Sequence, residues 1–175
     1  ASPALVLALN MSFAPGDRVA FARPGYVAYR NTLKALHIEP VELSCGEAER
    51  FQMSAKALAA LDPAPQGVIL ASPANPTGTI IPRDELAAIA EVCRERGITI
   101  ISDEIYHGIS YDMGTPSILE VAPDALVVNS FSKYWSMAGW RLGWLVVPDS
   151  GIDAARARIE ALDAVQKADL RVRSG

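Results

Sequence analysis

ALVVNSFSKYWSMAGWRLGWLVV, residues 125 to 147, is the stretch on which the reading of the fold turns. Its first four residues are apolar and largely β-branched, which predicts a buried strand. The strand stops at a polar cluster, Ser130-Phe131-Ser132-Lys133, and a second apolar run, Leu142 to Val147, follows. A lysine just past the carboxyl end of a buried strand suits chemistry better than solvation, because open α/β sheets bind ligands in the crevice at those ends. Arg141 follows, and its guanidinium fork suits a phosphate or carboxylate. Two hydroxyls, a lysine and an arginine this close together suggest a cradle for an anionic, carbonyl-bearing ligand. The plainer alternative is a lysine and an arginine that merely solvate a loop.

The same strand-then-polar pattern recurs on both sides of this stretch. Strands are predicted at 18–23, 38–43, 67–71 and 98–101, with Pro40 setting the second near a sheet edge because it cannot donate to the ladder. Helices are predicted at 3–13, 27–37, 54–61 and 82–96. The first is apolar nearly all round, which predicts burial on most sides, with Ser2 as its cap and Pro3 opening it. The last repeats Leu86, Ile89, Ala90 and Cys93 at helical spacing, opened by Pro82 and closed by Gly97. Alternating strands and helices predict an α/β fold: three layers, α/β/α, around a mostly parallel sheet.

Composition narrows the function classes. Half of the 175 residues are hydrophobic, enough for a sizeable core, and the net charge of −4 argues against a nucleic-acid footprint. Arg94-Glu95-Arg96 reads as a solvated helix face. Cys45 and Cys93 lie far apart with no ligand spacing, so both are expected to be buried thiols, with no metal and a cytoplasmic setting. The chain opens directly on a helix start, which reads as a piece of a longer protein.

Aligned by strand ends, Asn75, Asp103, Tyr106, Ser130 and Lys133 fall along one crevice. The requirements of pyridoxal phosphate are met there one by one: an amine for the aldehyde, an acid for the ring nitrogen, donors for the phenolic oxygen, and a helix start with an arginine for the phosphate. His107 reads as a satisfied polar residue, and the three tryptophans as packing.

Three blocks carry a resemblance to a known family. Ser72-Pro73-Ala74-Asn75-Pro76-Thr77-Gly78, Asp103-Glu104-Ile105-Tyr106, and Ser130 to Lys133 through Gly139-Trp140-Arg141-Leu142-Gly143 resemble the signature blocks of class I/II aminotransferases. These are pyridoxal-phosphate enzymes of fold type I in the aspartate aminotransferase superfamily, and the similarity is legible over residues 1 to 148. The resemblance implies that Lys133 forms the Schiff base with the cofactor and shuttles the substrate proton. It implies that Asp103 pairs with the ring nitrogen, while Tyr106 and Asn75 bond the ring hydroxyl oxygen. Ser130, Arg141 and the backbone of Ala1 and Ser2 would hold the phosphate, and Tyr26 would stack on the ring. Cis bonds are implied at Arg23–Pro24 and Asn75–Pro76.

On this resemblance residues 1–150 form the cofactor-binding large domain and residues 151–175 a helical, polar tail, with the small domain absent. The implied activity is ping-pong transfer of an amino group from an amino acid to a 2-oxo acid, in a cytoplasmic homodimer with a biosynthetic role. No nucleic-acid or membrane partner is implied. Two rivals stay open: a carbon–sulfur lyase on the same scaffold, and a cofactor-binding sensor domain of a transcription regulator. The chain by itself is expected to be weakly active or inactive, and to self-associate.

Overall fold

The structure, a computed structural model, describes residues 1–111, 114–153, 155–157 and 159–161. Six strands, β1 (Arg18–Arg23), β2 (Glu39–Ser44), β3 (Gly67–Ala71), β4 (Thr99–Asp103), β5 (Leu126–Ser130) and β6 (Gly143–Val146), form one sheet in the order β2-β1-β3-β4-β5-β6. The first five are parallel, and β6 pairs antiparallel with β5. A parallel return needs a crossover back to the far end of the sheet. Between β5 and β6 there is only a loop with one short 3₁₀ turn, Ala138–Trp140, so the chain turns at the same end and runs back.

Strand alternation divides the core into two. Val19, Phe21, Ile69, Ile101, Leu126 and Val128 point to one face, where α1 (Ser2–Ser12) and α2 (Val27–Ala35) pack through Leu5, Leu9, Tyr29 and Leu33. Ala20, Val68, Leu70, Ile100 and Val127 point to the other, covered by α3 (Ala55–Ala59) and α4 (Arg83–Arg96) through Leu58, Leu86 and Ile89. Each fully buried leucine or isoleucine among these contributes about 1.5–3 kcal/mol. The three-layer α/β reading is correct.

Local signals account for most element ends. Ser54 caps α3, its Oγ accepting from the Ala57 N–H at 3.2 Å. Gly97 ends α4 in the left-handed conformation, φ 65°. Pro40 lies on β2, an edge strand. Three expectations change. Ala1, not Ser2, occupies the cap position of α1, and no side chain caps that helix. Of its residues only Leu5, Ala8 and Leu9 are buried, because the sheet covers a single side. Arg96 does not simply solvate α4: it donates to the Leu58, Ala59 and Leu61 carbonyls, closing the carboxyl end of α3. In the tail, residues 152–153, 155–157 and 159–161 are helical, and 162–175 lie outside the described residues.

The topology also prepares a crevice. After β1 the chain passes into α2 on one face, and after the neighbouring β3 it passes towards α4 on the other. Loops that part in opposite directions leave the strand ends between them open, the usual ligand position in such sheets.

Candidate active site

A cavity of about 110 Å³ lies at these strand ends, and its walls include Ala1, Ser2, Tyr26, Asn75, Asp103, Tyr106 and Lys133. Seven of the nine expected site residues therefore meet in one place. The loop after β1 brings Tyr26, the loop after β3 brings Asn75, the end of β4 brings Asp103, and the turn beyond it brings Tyr106. The turn after β5 brings Lys133, and the start of α1 closes the remaining side. The Arg23–Pro24 and Asn75–Pro76 bonds are cis as expected, and so are Asp62–Pro63 and Ser72–Pro73.

Asp103 is the most enclosed of the group, 7% exposed. Its Oδ2 accepts from the Tyr29 hydroxyl at 2.6 Å and its Oδ1 from the Ile105 N–H at 3.2 Å. Burial pushes the Asp103 carboxyl above the usual range, although these two bonds pull it back. Among the described residues no lysine or arginine is paired with it. Asn75 Nδ2 donates to the Tyr106 hydroxyl at 3.3 Å, which aligns both polar tips. Lys133 is exposed, and its Nζ stands 5.8 Å from the centre of the Tyr106 ring.

Two expected residues do not line this cavity. Ser130 ends β5 with no exposed surface, and its Oγ accepts from the Ser132 N–H at 3.2 Å. It thereby shapes the turn that presents Lys133. Arg141, in the left-handed region at φ 53°, donates to the Ala138 carbonyl at 3.0 Å. It lines an adjoining hollow together with Ala1, Ser132 and Gly143. The two hollows share Ala1, so an anion held by Arg141 would sit beside the first cavity at the start of α1. A Cβ on Gly143 would meet the Asn129 carbonyl oxygen at 2.8 Å and the Ala1 nitrogen at 3.0 Å, so the close backbone approach to Asn129 requires glycine.

Several supporting residues escape a sequence reading. Gln52, between β2 and α3, donates to the Ala71 and Thr79 carbonyls at 3.1 and 2.8 Å and fastens the loop that carries Asn75. Glu104 is buried and accepts from the Ser117 hydroxyl, the Ile118 N–H at 2.9 Å and the Ser102 hydroxyl, which anchors the turn between Asp103 and Tyr106. His107 is satisfied on one side only: Nδ1 lies 3.3 Å from Glu104, while Nε2 is buried with no hydrogen-bond partner among the described residues. Trp144 packs on Phe131 and Trp135, but Trp140 is 74% exposed, so the packing reading fails for it in this chain.

The Tyr106 turn and the Lys133 turn pack closely where Gly108 meets Tyr134. Gly108 has φ +83°, and a Cβ there would meet the Tyr134 ring at 2.6 Å. Gly108→Ala is therefore expected to lower stability by about 1–2 kcal/mol through backbone strain alone, and to part the two turns. Urea denaturation measures the first effect, and cofactor affinity reads the second.

Comparison with known proteins agrees with this arrangement. Residues 1–169 match the family described as aminotransferase class I and II, further than the residues over which the motifs are legible. The chain is 54% identical over 150 residues to a valine–pyruvate aminotransferase of Mycobacterium tuberculosis, across 84% of this chain and 38% of that protein. A crystal structure of an aminotransferase from the same organism superposes with a TM-score of 0.83 at 52% identity, covering 86% of this chain and 39% of that one. Aspartate aminotransferase from Thermus thermophilus gives a TM-score of 0.85 at 30% identity, covering 92% and 43%. The chain thus spans about two fifths of the length of these relatives. From its cavity, its sheet order and these matches, the chain belongs to the class I and II aminotransferases.

Proposed function

We propose that this chain forms the cofactor-binding part of a pyridoxal-phosphate-dependent aminotransferase, which moves an amino group from an amino acid to a 2-oxo acid. The observation that carries the proposal is the convergence on one crevice of three groups without an opposite-charge side-chain partner among the described residues. Among the described residues Asp103 is a buried acid without a paired lysine or arginine and Lys133 makes no ion pair, and α1 begins there with no side-chain cap on its N–H groups. A protonated ring nitrogen, a carbonyl and a phosphate answer these three needs in turn. The donor set therefore fits pyridoxal phosphate.

When bound, the cofactor supplies an aldehyde that captures amines and a ring that draws off electrons as a substrate α-carbon loses its proton. The rest falls to the protein. Lys133 Nζ holds the cofactor and moves the proton, acting as nucleophile and as acid–base group. Asp103 would supply the negative charge for the ring nitrogen. Asn75 and Tyr106 would hold the ring through its hydroxyl oxygen, and Tyr26 would pack against the ring. The N–H groups of Ala1 and Ser2, with Arg141, would hold the phosphate.

The identity with a valine–pyruvate aminotransferase makes valine and pyruvate the first substrate pair to try. A homodimer in the cytoplasm belongs to the same proposal. The exposed Tyr134, Trp135, Trp140 and Leu142 support an apolar contact at this end of the sheet. Two-substrate kinetics on the full-length protein that carries this chain, with added cofactor, tests the reaction, since the chain by itself is expected to be weakly active or inactive. Parallel double-reciprocal lines and an absolute need for a 2-oxo acid are expected. Turnover without any 2-oxo acid would point to elimination, and a cofactor complex without turnover on any amino acid would point to sensing.

A further inference from the structure

We infer that Tyr29 is a positioning residue, whose hydroxyl holds the Asp103 carboxylate charged and in a single orientation at the floor of the cavity. This inference rests on reading the cavity as the cofactor site. Tyr29 lies on the core face of α2, 4% exposed, among side chains that are otherwise apolar. A phenol buried there needs a polar partner. The partner is not a backbone carbonyl but Asp103 Oδ2, on an element 74 residues away, at 2.6 Å. That distance belongs to the short, charge-assisted class of hydrogen bond.

The ring that carries the hydroxyl is itself braced. Phe21 of β1 meets it edge-on with ring centres 6.2 Å apart, and Tyr26 meets it edge-on at 5.5 Å. Tyr26 also lines the cavity. Tyr29 is thus one strut with two ends, supporting an aromatic wall residue with its ring and the acid with its hydroxyl.

Asp103 needs this support. Nearly complete burial favours its neutral form, and the neighbouring Glu104 adds to that tendency. A neutral Asp103 could not hold a proton on a ring nitrogen opposite. The hydroxyl of Tyr29 and the N–H of Ile105 each occupy one carboxylate oxygen, so they fix the carboxyl plane and favour the charged form. The bond works both ways: contact with Asp103 reinforces the burial that raises the Tyr29 phenol well above its ordinary value.

Tyr29→Phe keeps the ring and both aromatic contacts while removing the hydroxyl. In the cofactor-free full chain, carbon-13 NMR of the aspartate carboxyls is expected to show Asp103 titrating at higher pH than in the unsubstituted protein. Cofactor affinity, followed by visible absorption, is expected to fall roughly ten- to a hundredfold, the usual weight of a hydrogen bond to a charged group. In an Asp103→Asn background the same substitution is expected to change affinity less than about twofold, because its target is gone. An unmoved Asp103 titration, or an equal loss of affinity in both backgrounds, would overturn the inference and leave Tyr29 as wall material. If Tyr29→Phe does not fold, ultraviolet titration of Asp103→Asn decides: the Tyr29 phenol must ionise at lower pH there than in the unsubstituted chain, or the bond has no such role. Failure of the unsubstituted protein to bind pyridoxal phosphate would sink the proposed function instead, and the cofactor-free titration would still judge Tyr29.

Discussion

Lys133→Ala is expected to bind pyridoxal phosphate without covalent attachment and to lose transamination by on the order of 10³-fold or more. Two roles vanish together. A positioned acid–base group contributes about 10²–10⁴-fold by itself, and the amine that releases and recaptures the cofactor is lost as well. The phosphate and ring contacts do not involve the lysine, so binding is weakened rather than abolished. Lys133 stands exposed at the rim of the cavity, with Nζ near the Tyr106 ring, so alanine leaves no buried hole and should fold normally. Borohydride reduction followed by peptide mapping provides the check. The label is expected on Lys133 in the unsubstituted protein and nowhere in the variant. A label on Lys34 or Lys56 would overturn the assignment of the site.

Asp103→Asn is expected to lower turnover on the order of 10²–10³-fold, the range for removing one preorganised electrostatic partner, and at the same time to stabilise the cofactor-free protein at neutral pH. The second effect follows from the direction of the Asp103 shift. Burial raises the carboxyl above its unfolded value of about 3.9, so the folded state binds the proton more tightly than the unfolded state does. The stability this group contributes is complete below the unfolded value and is lost as pH rises through the folded one. At neutral pH the buried charge weighs against the fold, and a neutral amide relieves it. Thermal melts of the two cofactor-free proteins should therefore converge as pH falls through this window and separate above it. A lower melting temperature for Asp103→Asn at pH 7 would contradict the account, and unchanged turnover would remove Asp103 from the chemistry. Lower stability in exchange for function is common at active sites.

The division between sequence and structure runs along the range of the interactions involved. Local chemistry determined the elements. Short apolar, β-branched runs mark the parallel strands, Ser54 and Gly97 mark helix ends, and Pro40 marks an edge, since each signal acts within a few residues of itself. The site was largely legible for the same reason: in a parallel sheet every carboxyl strand end falls on one side, so Asn75, Asp103, Tyr106 and Lys133 had to converge once the strands were known. Contacts across the fold were not legible. The Tyr29–Asp103 bond spans 74 residues and joins a helix to a strand, and nothing within α2 separates a core tyrosine from a working one. Gln52 reaches two carbonyls from a loop without any pattern, and the exit of Arg141 into a neighbouring hollow depends on a left-handed backbone turn that its own residue type does not announce. Side-chain partners at long range are selected by packing of the whole sheet against its helices. So the sequence by itself determined which strand ends carry the chemistry, and only the tertiary structure decided which neighbours hold those groups in place.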